Sequence, residues 1–290
     1  MRRCKNLLGT FIEMKVGTLL PGEKEFTAEQ IKLYQYVINI AFNEIQKVQD
    51  LMSFHNPCSD LSRINRMVYE GIKEPIEIHP WTYELIVKAK EIYTQTNGAF
   101  DCGIAYQLIK WGILPNIYPI NINRKLHSSS LSEVELLPVR RLRIKKGVCL
   151  DFGGIAKGYA VDRAIEVIRS CGISQAVVNA GGDIRILGQH PEKISLRECM
   201  DTSSYLSLGE LSDGAIATSS TCFGRKIQGR KKYSHLVDPK TGEPINQQLS
   251  YSVIAPTCLV ADALTKALAV DKNIHAQYFN WYGAQPIIVE

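Results

Sequence analysis

The sequence predicts an α+β fold: a largely antiparallel or mixed sheet flanked by helices. Three observations carry this. Short segments alternate apolar and polar residues, and longer ones repeat apolar residues at three and four. The two kinds of segment do not follow the strict strand–helix–strand order of a parallel sheet. The 290 residues are 45% hydrophobic and 22% charged, which is ample for a large core. No Pro/Gly/Ser-rich linker, repeat or low-complexity tract divides them, so residues 1–290 are expected to form one domain.

Residues 9–16 alternate as a strand, followed by a bend at Pro21–Gly22. From Thr27, a plausible N-cap, Ile31, Tyr34, Val37, Ile38, Ala41, Ile45 and Val48 mark one face of a long helix. Ser59 or Asp60 can cap a short helix through Asn65. Residues 80–96 form a helix stopped by Asn97–Gly98, and residues 105–111 a shorter one. The polar stretch 121–132 reads as a surface loop. Strands are expected at 140–150, 175–180, 184–187, 215–219, 251–255 and 285–289, and helices at 158–171 and 261–270.

Composition narrows the function. The net charge is +5, with basic runs at 140–146 and 225–232. The first run alternates with apolar residues, as a half-exposed strand does, so no nucleic-acid partner is expected; an anionic small ligand suits the balance. The eight cysteines contain no CxxC pair and are expected to be reduced thiols. No segment reaches the roughly 18 apolar residues of a membrane span. No apolar stretch precedes Cys4. As written the chain is expected to be cytoplasmic, or periplasmic if a leader has been removed.

Several stretches carry chemistry. In "DFGGIAKG" (151–158), Asp151 and Lys157 flank Gly153–Gly154 at a helix start, where free N–H groups and the helix dipole favour an anion. It matches neither the dinucleotide GxGxxG pattern nor the P-loop, and a tight packed turn would look the same. "NAGGDIR" (179–185) repeats the strand–glycine–acid theme, which suggests a shared cleft. "AIATSS" (215–220), with Thr218 and Ser219, is suited to a wall close to a flat ligand, or is simply a buried strand. His235 precedes the turn sequence Asp238–Pro239–Lys240–Thr241–Gly242 and is the side chain best poised for proton transfer near neutral pH. Asp262 falls in the first turn of the last long helix, as a helix cap or as a hard oxygen ligand.

Taken together and in order, "LLGTF", "MSFHNPCSDLSRIN", "TNGAFD", "LDFGGIAKGYAVDRA", "VNAGGDIRILG", "AIATSS", "HLVDPKTGEP" and "ADAL" resemble the ApbE family of FAD:protein FMN transferases over nearly the whole chain. The resemblance implies the ApbE-like fold. It also implies transfer of FMN from FAD to a Ser or Thr hydroxyl of an acceptor flavoprotein, with release of AMP. Phe54, Ala99, Phe100, Asp101, Asp151, Lys157, Thr218, Ser219 and Leu236 would contact FAD. His235 would activate the acceptor hydroxyl, and the Gly154 carbonyl and Asp262 would bind Mg²⁺. Two alternatives remain: an FAD pyrophosphatase giving FMN and AMP, and a flavin-binding protein without turnover.

The chain departs from the family pattern at one position that matters. The family reads "ADALxT", with the threonine completing the metal site. Here Lys266 stands four residues after Asp262, and the nearest hydroxyl, Thr265, stands three after it. Either Thr265 serves after a small rotation, or the Lys266 ammonium sits where the metal would.

Overall fold

The computed structural model describes residues 1–18, 25–117, 130–145, 147–199, 203–222, 226–228 and 231–290. The expected bend at Pro21–Gly22 and residues 121–129 of the expected loop lie outside them, as do the side chains of the basic run 225–232.

In chain order the elements begin with β1 (Arg2–Leu7), β2 (Thr10–Val16), α1 (Ala28–Met52), α2 (Asp60–Glu70), β3 (Ile76–Glu77), α3 (Pro80–Gln95) and α4 (Ala105–Lys110). Then come β4 (Val134–Leu137), β5 (Arg141–Ile144), α5 (Ala156–Ser170), β6 (Ala176–Ala180), β7 (Asp183–Leu187), β8 (Glu192–Arg197) and β9 (Tyr205–Leu211). The chain ends with β10 (Ala215–Ser220), β11 (Lys226–Gln228), β12 (Lys231–Tyr233), β13 (Ser250–Ala255), α6 (Cys258–Asp271), α7 (Gln277–Trp281) and β14 (Gln285–Val289).

Seven strands form one sheet in the order β1-β2-β6-β7-β10-β13-β14. Every neighbouring pair is antiparallel. The pleat sends alternate residues to opposite faces. Ile12, Met14 and Val16 of β2 therefore pair with Ala180, Val178 and Ala176 of β6, all buried on the face that α1 and α5 cover. Behind the sheet, Ile194 of β8 packs with Ile186 and Ile216, so the β8–β9 hairpin closes part of the second face. The α+β reading with an antiparallel sheet flanked by helices is the observed one.

Local chemistry explains the helix starts. Thr27 accepts the Gln30 N–H while the Gln30 side chain accepts the Thr27 N–H, the reciprocal cap the sequence suggests. Ser59 caps α2, which runs past the expected Asn65 to Glu70 and stops at Gly71 with φ 74°. The expected strand over 140–150 is regular only at Arg141–Ile144, which pairs with β4 and β3. α6 begins three residues earlier than its apolar pattern suggests, because Thr257 is the cap. Asp262 therefore sits in the second turn, not the first.

One cysteine expectation is overturned. Cys199 and Cys222 form a disulfide with Cα atoms 5.4 Å apart, while Cys4, Cys58, Cys102, Cys149, Cys171 and Cys258 are free thiols. Folding of the β8–β9 hairpin over β10 brings the pair together, and no sequence spacing announces such a contact.

Candidate functional site

The "DFGG" turn is held from outside its own segment. The buried Asn65 side chain donates to the Leu150 carbonyl at 2.9 Å and accepts the Leu150 N–H at 2.8 Å. The Asp151 N–H donates to the Cys102 carbonyl at 2.8 Å. The Asp151 carboxylate turns back to accept the Gly153 N–H at 3.1 Å. Gly153 and Gly154 do not have positive φ, so their value is space. A Cβ at Gly154 would lie 3.3 Å from Lys266 Cε.

In front of this turn lies a cavity of about 520 Å³, within the roughly 300–1,000 Å³ usual for ligand sites. Part of the lining is apolar, with Phe54, Ala99, Phe100, Ile104, Leu108 and Leu236. The rest includes Asp151, Gly153, Gly154, Lys157, His235 and Lys266, which make up its polar wall. Asp101 also lines the cavity, but its carboxylate is committed to the backbone: Oδ1 accepts the Gly103 N–H at 2.7 Å and the Leu131 N–H at 3.0 Å. Burial pushes Asp101 and Asp151 each up to about 6, against the N–H groups they accept.

Behind the polar wall two lysines and two aspartates interlock. Asp262 is buried on α6. One oxygen accepts the N–H of Gly158, in the first turn of α5, at 3.0 Å, and the Lys157 ammonium lies 3.7 Å from that same oxygen. The other oxygen accepts from Lys266, whose Nζ also reaches the Asp262 carbonyl at 3.0 Å. Lys157 pairs with the buried Asp183 of β7. Burial opposes charge on Lys157, but Asp183 and Asp262 outweigh it and hold the ammonium above its ordinary range. Burial likewise opposes ionisation of Asp262, and the two lysines overcome it, keeping the carboxylate low. Asp183 is raised, by burial first and by the Asp262 charge second.

His235 stands on the cavity wall and reaches solvent, yet protein surrounds the ring closely enough to matter. That burial, then repulsion from Lys266 and Lys157, lowers it to about 4, with Asp262 opposing. At neutral pH the imidazole is a free base.

The structure thus gathers Phe54, Ala99, Phe100, Asp101, Asp151, Gly154, Lys157, His235 and Leu236 around one cavity. It does not bring Thr218 or Ser219 there. The Thr218 hydroxyl pairs with Ser252 at 2.8 Å, and that of Ser219 with Thr265 at 2.7 Å, so "AIATSS" serves as packed strand. Asp262 lies behind the wall rather than on it. Sequence reasoning left Asp183 without a role, although the acid after Gly181–Gly182 was the visible signal, and it did not name His55, Ile113 or Val237 as site residues, although they line the cavity.

As the residues stand, they do not fit a divalent ion. Both Asp262 oxygens are occupied by N–H and ammonium donors. The Thr265 hydroxyl is committed to the Asp262 carbonyl at 2.7 Å and to Ser219. Among the described residues no group of three or more His, Cys, Asp or Glu side chains could hold a metal. No helix among them is long and apolar enough to cross a membrane.

A largely apolar cavity lined also by Lys157, Lys266 and a neutral histidine has the size and chemistry of a site for a large, partly apolar anion. The chain belongs to the ApbE family, whose profile matches residues 8–280. Curated relatives named FAD:protein FMN transferase include one from Vibrio cholerae, 30% identical over 78% of this chain and 70% of that protein. Another, from Chlamydia muridarum, is 28% identical over 82% of this chain and 76% of its own. The crystal structure of the ApbE protein from Thermotoga maritima covers 100% of this chain and 94% of its own, with a TM-score of 0.81 at 27% identity.

Proposed function

We propose that this chain transfers FMN from FAD to a Ser or Thr hydroxyl of an acceptor flavoprotein and releases AMP. The observation that carries this reading is the single cavity that joins an apolar wall, two lysine ammonium groups and a histidine held neutral. Phe54, Ala99, Phe100 and Leu236 offer flat apolar surface for the ring systems. Asp101 and Asp151 frame polar edges of the ligand, and Lys157 and Lys266 face the pyrophosphate.

In the transfer, the acceptor hydroxyl oxygen bonds to the FMN phosphorus. The bond from that phosphorus to the bridging oxygen breaks, and AMP leaves with that oxygen. The hydroxyl proton passes to His235, a contribution of typically about 10²–10⁴ in rate. The rest is positioning and charge stabilisation at the phosphoryl oxygens. No step is assigned to Mg²⁺, because Asp262 is already paired.

His235 is open to solvent, so water has access to the same base. Hydrolysis of FAD to FMN and AMP is therefore the competing reading. Product analysis separates them. AMP that appears with FAD only when an acceptor protein is added, together with a covalent fluorescent flavin band on a denaturing gel, supports transfer. AMP formed equally fast from FAD alone, with no labelled acceptor, makes the chain a pyrophosphatase. Flavin bound with no AMP in either incubation makes it a binding protein and overturns the proposal.

A further inference from the structure

We propose that the Lys266 ammonium is a built-in counter-charge for the substrate pyrophosphate, so that catalysis by this chain needs no divalent ion; this rests on the FAD reading above.

The geometry carries it in four steps. Lys266 lies one turn after Asp262 on α6, and its Nζ holds both the carboxylate and the main-chain carbonyl of that residue. A cation seated on the oxygen that Lys266 holds would have to displace this ammonium from a carboxylate with no solvent exposure. The cation would compensate Asp262 in place of the ammonium, but it would stand against the like charges of Lys266 and Lys157 in a buried setting that screens them little.

The remaining oxygen donor nearby is not free to help. The Thr265 hydroxyl is buried and bound at both ends, to the Asp262 carbonyl and to Ser219. It has not rotated toward the cavity, and doing so would break both bonds.

The stem of Lys266 also takes the space beside Gly154. Its Cε would lie 3.3 Å from a Cβ at that position, a close contact that the absence of a side chain on Gly154 avoids. The lysine packs against the backbone whose carbonyl the family resemblance assigns to the metal.

Finally, the ammonium has capacity left. A lysine carries three N–H donors. Two are engaged by Asp262, the third has no partner among the described residues, and Lys266 lines the cavity. One donor thus remains to meet a phosphate oxygen in a charge-assisted bond. Lys157, held by Asp183, adds a second ammonium on the same wall.

The test compares chelated and magnesium-supplemented protein in two assays, AMP release from FAD and equilibrium FAD binding by flavin-fluorescence quenching. The wild-type chain, dialysed against EDTA and then freed of it, is expected to release AMP and bind FAD equally well with and without added Mg²⁺. Calorimetric titration of MgCl₂ into the ligand-free protein is expected to show no binding. Lys266→Met keeps the stem and removes the donors; it is expected to lower AMP release by about 10²–10³-fold, the usual loss for one stabilising donor. Lys266→Thr frees Asp262 and is expected to gain both calorimetric Mg²⁺ binding and Mg²⁺-stimulated turnover. Wild-type activity that disappears on chelation and returns with Mg²⁺ overturns the proposal whether or not any variant folds, as does wild-type Mg²⁺ binding as tight as that of Lys266→Thr. If no AMP forms under any condition, the transferase reading has failed and the binding assay decides the role of the lysine. Metal-free FAD binding weakened in Lys266→Met upholds it, and FAD binding that requires Mg²⁺ overturns it.

Discussion

Asp162 and Asp262 each complete the N-terminus of the helix that carries the other. Asp162, on α5, accepts the Cys258 and Leu259 N–H groups at 2.9 and 2.8 Å, where α6 begins. Asp262, on α6, accepts the Gly158 N–H at 3.0 Å, in the first turn of α5. Ile155 gives α5 no side-chain cap of its own, so the reciprocal aspartate supplies an acceptor that a helix start needs. The two helix starts are thereby pinned together, and with them Lys157 and Lys266. Asp162→Ala leaves two N–H groups without their partner. It is expected to destabilise the protein by about 1–3 kcal/mol for each donor left buried and unmet, less what water recovers. Asp162→Asn keeps an acceptor oxygen for one of the two N–H groups and turns its NH2 donors toward the other, so it should retain only part of that stability while shedding a carboxylate whose pKa burial pushes up to about 6. Urea unfolding of the two variants checks this; equal loss in both would show that the charge, not the acceptor, matters.

Asn65 makes a similar prediction at the other side of the cavity. Its two hydrogen bonds to Leu150 are buried and fix the strand end that delivers Asp151. Asn65→Ala orphans one N–H and one C=O, each worth about 1–3 kcal/mol when left unsatisfied. The melting temperature should drop, and KM for FAD should rise more than kcat falls, since the turn is displaced rather than the base. Asn65→Asp keeps the acceptor but loses the donor to the carbonyl, and should fall between. A normal KM in Asn65→Ala would separate the turn from FAD binding.

These links show what could and could not be read from the chain. The sheet face of β2, the Thr27 cap and the "DFGG" turn follow from periodicity and local chemistry, because neighbours in sequence decide them. Asp151, Lys157, Phe100 and His235 were legible as candidates because their motifs sit in one order, and the fold brings them to one cavity. The pairings of Asn65 with Leu150, Asp162 with Cys258, Lys157 with Asp183 and Cys199 with Cys222 were not legible. Each joins segments that only the tertiary fold brings together. Thr218 and Ser219 lie outside the lining of that cavity for the opposite reason. Small hydroxyl residues suit a ligand wall, but in β10 and β13 they satisfy one another and α6 instead. The departure at Lys266 was visible as a substitution; its consequence needed the geometry of Asp262.

Gly158 is the tightest point of the helix junction. A Cβ there would come within 2.3 Å of the Cys258 carbonyl oxygen and 2.8 Å of Asp262 Cβ. The obstacle is largely backbone, so it cannot swing aside. Gly158→Ala should therefore cost more than the about 1–3 kcal/mol typical of overpacking, even though alanine is the better helix former. The expected signature is a large fall in urea midpoint with loss of FAD quenching. Gly172→Ala, where nothing lies within 4 Å but φ is 79°, is a control for backbone strain alone and should leave FAD binding intact. Similar behaviour of the two variants would mean that the α5–α6 junction has room to move.

The pH dependence of the reaction should follow His235. Burial lowers it to about 4, with Lys266 and Lys157 acting in the same direction and Asp262 against them. An ordinary histidine titrates near 6.5. A base whose pKa is depressed stays neutral to lower pH, so the acid limb of kcat/KM should fall well below 6.5 and activity should be lost only as the pH drops toward 4. Because the ring reaches solvent at the cavity wall, charge repulsion from the lysines should be the part that persists when water enters. Lys266→Met removes one of those charges, and the imidazole should then rise toward 6.5. A proton NMR titration of the His235 ring reads this directly, even in a variant whose turnover is slow. His235→Ala should abolish transfer while FAD binding stays within a factor of a few, because the proposed pyrophosphate contacts belong to Lys157 and Lys266. A wild-type acid limb at 6.5 or above, or an imidazole that titrates identically with and without Lys266, would remove His235 as a base tuned by its neighbouring lysines.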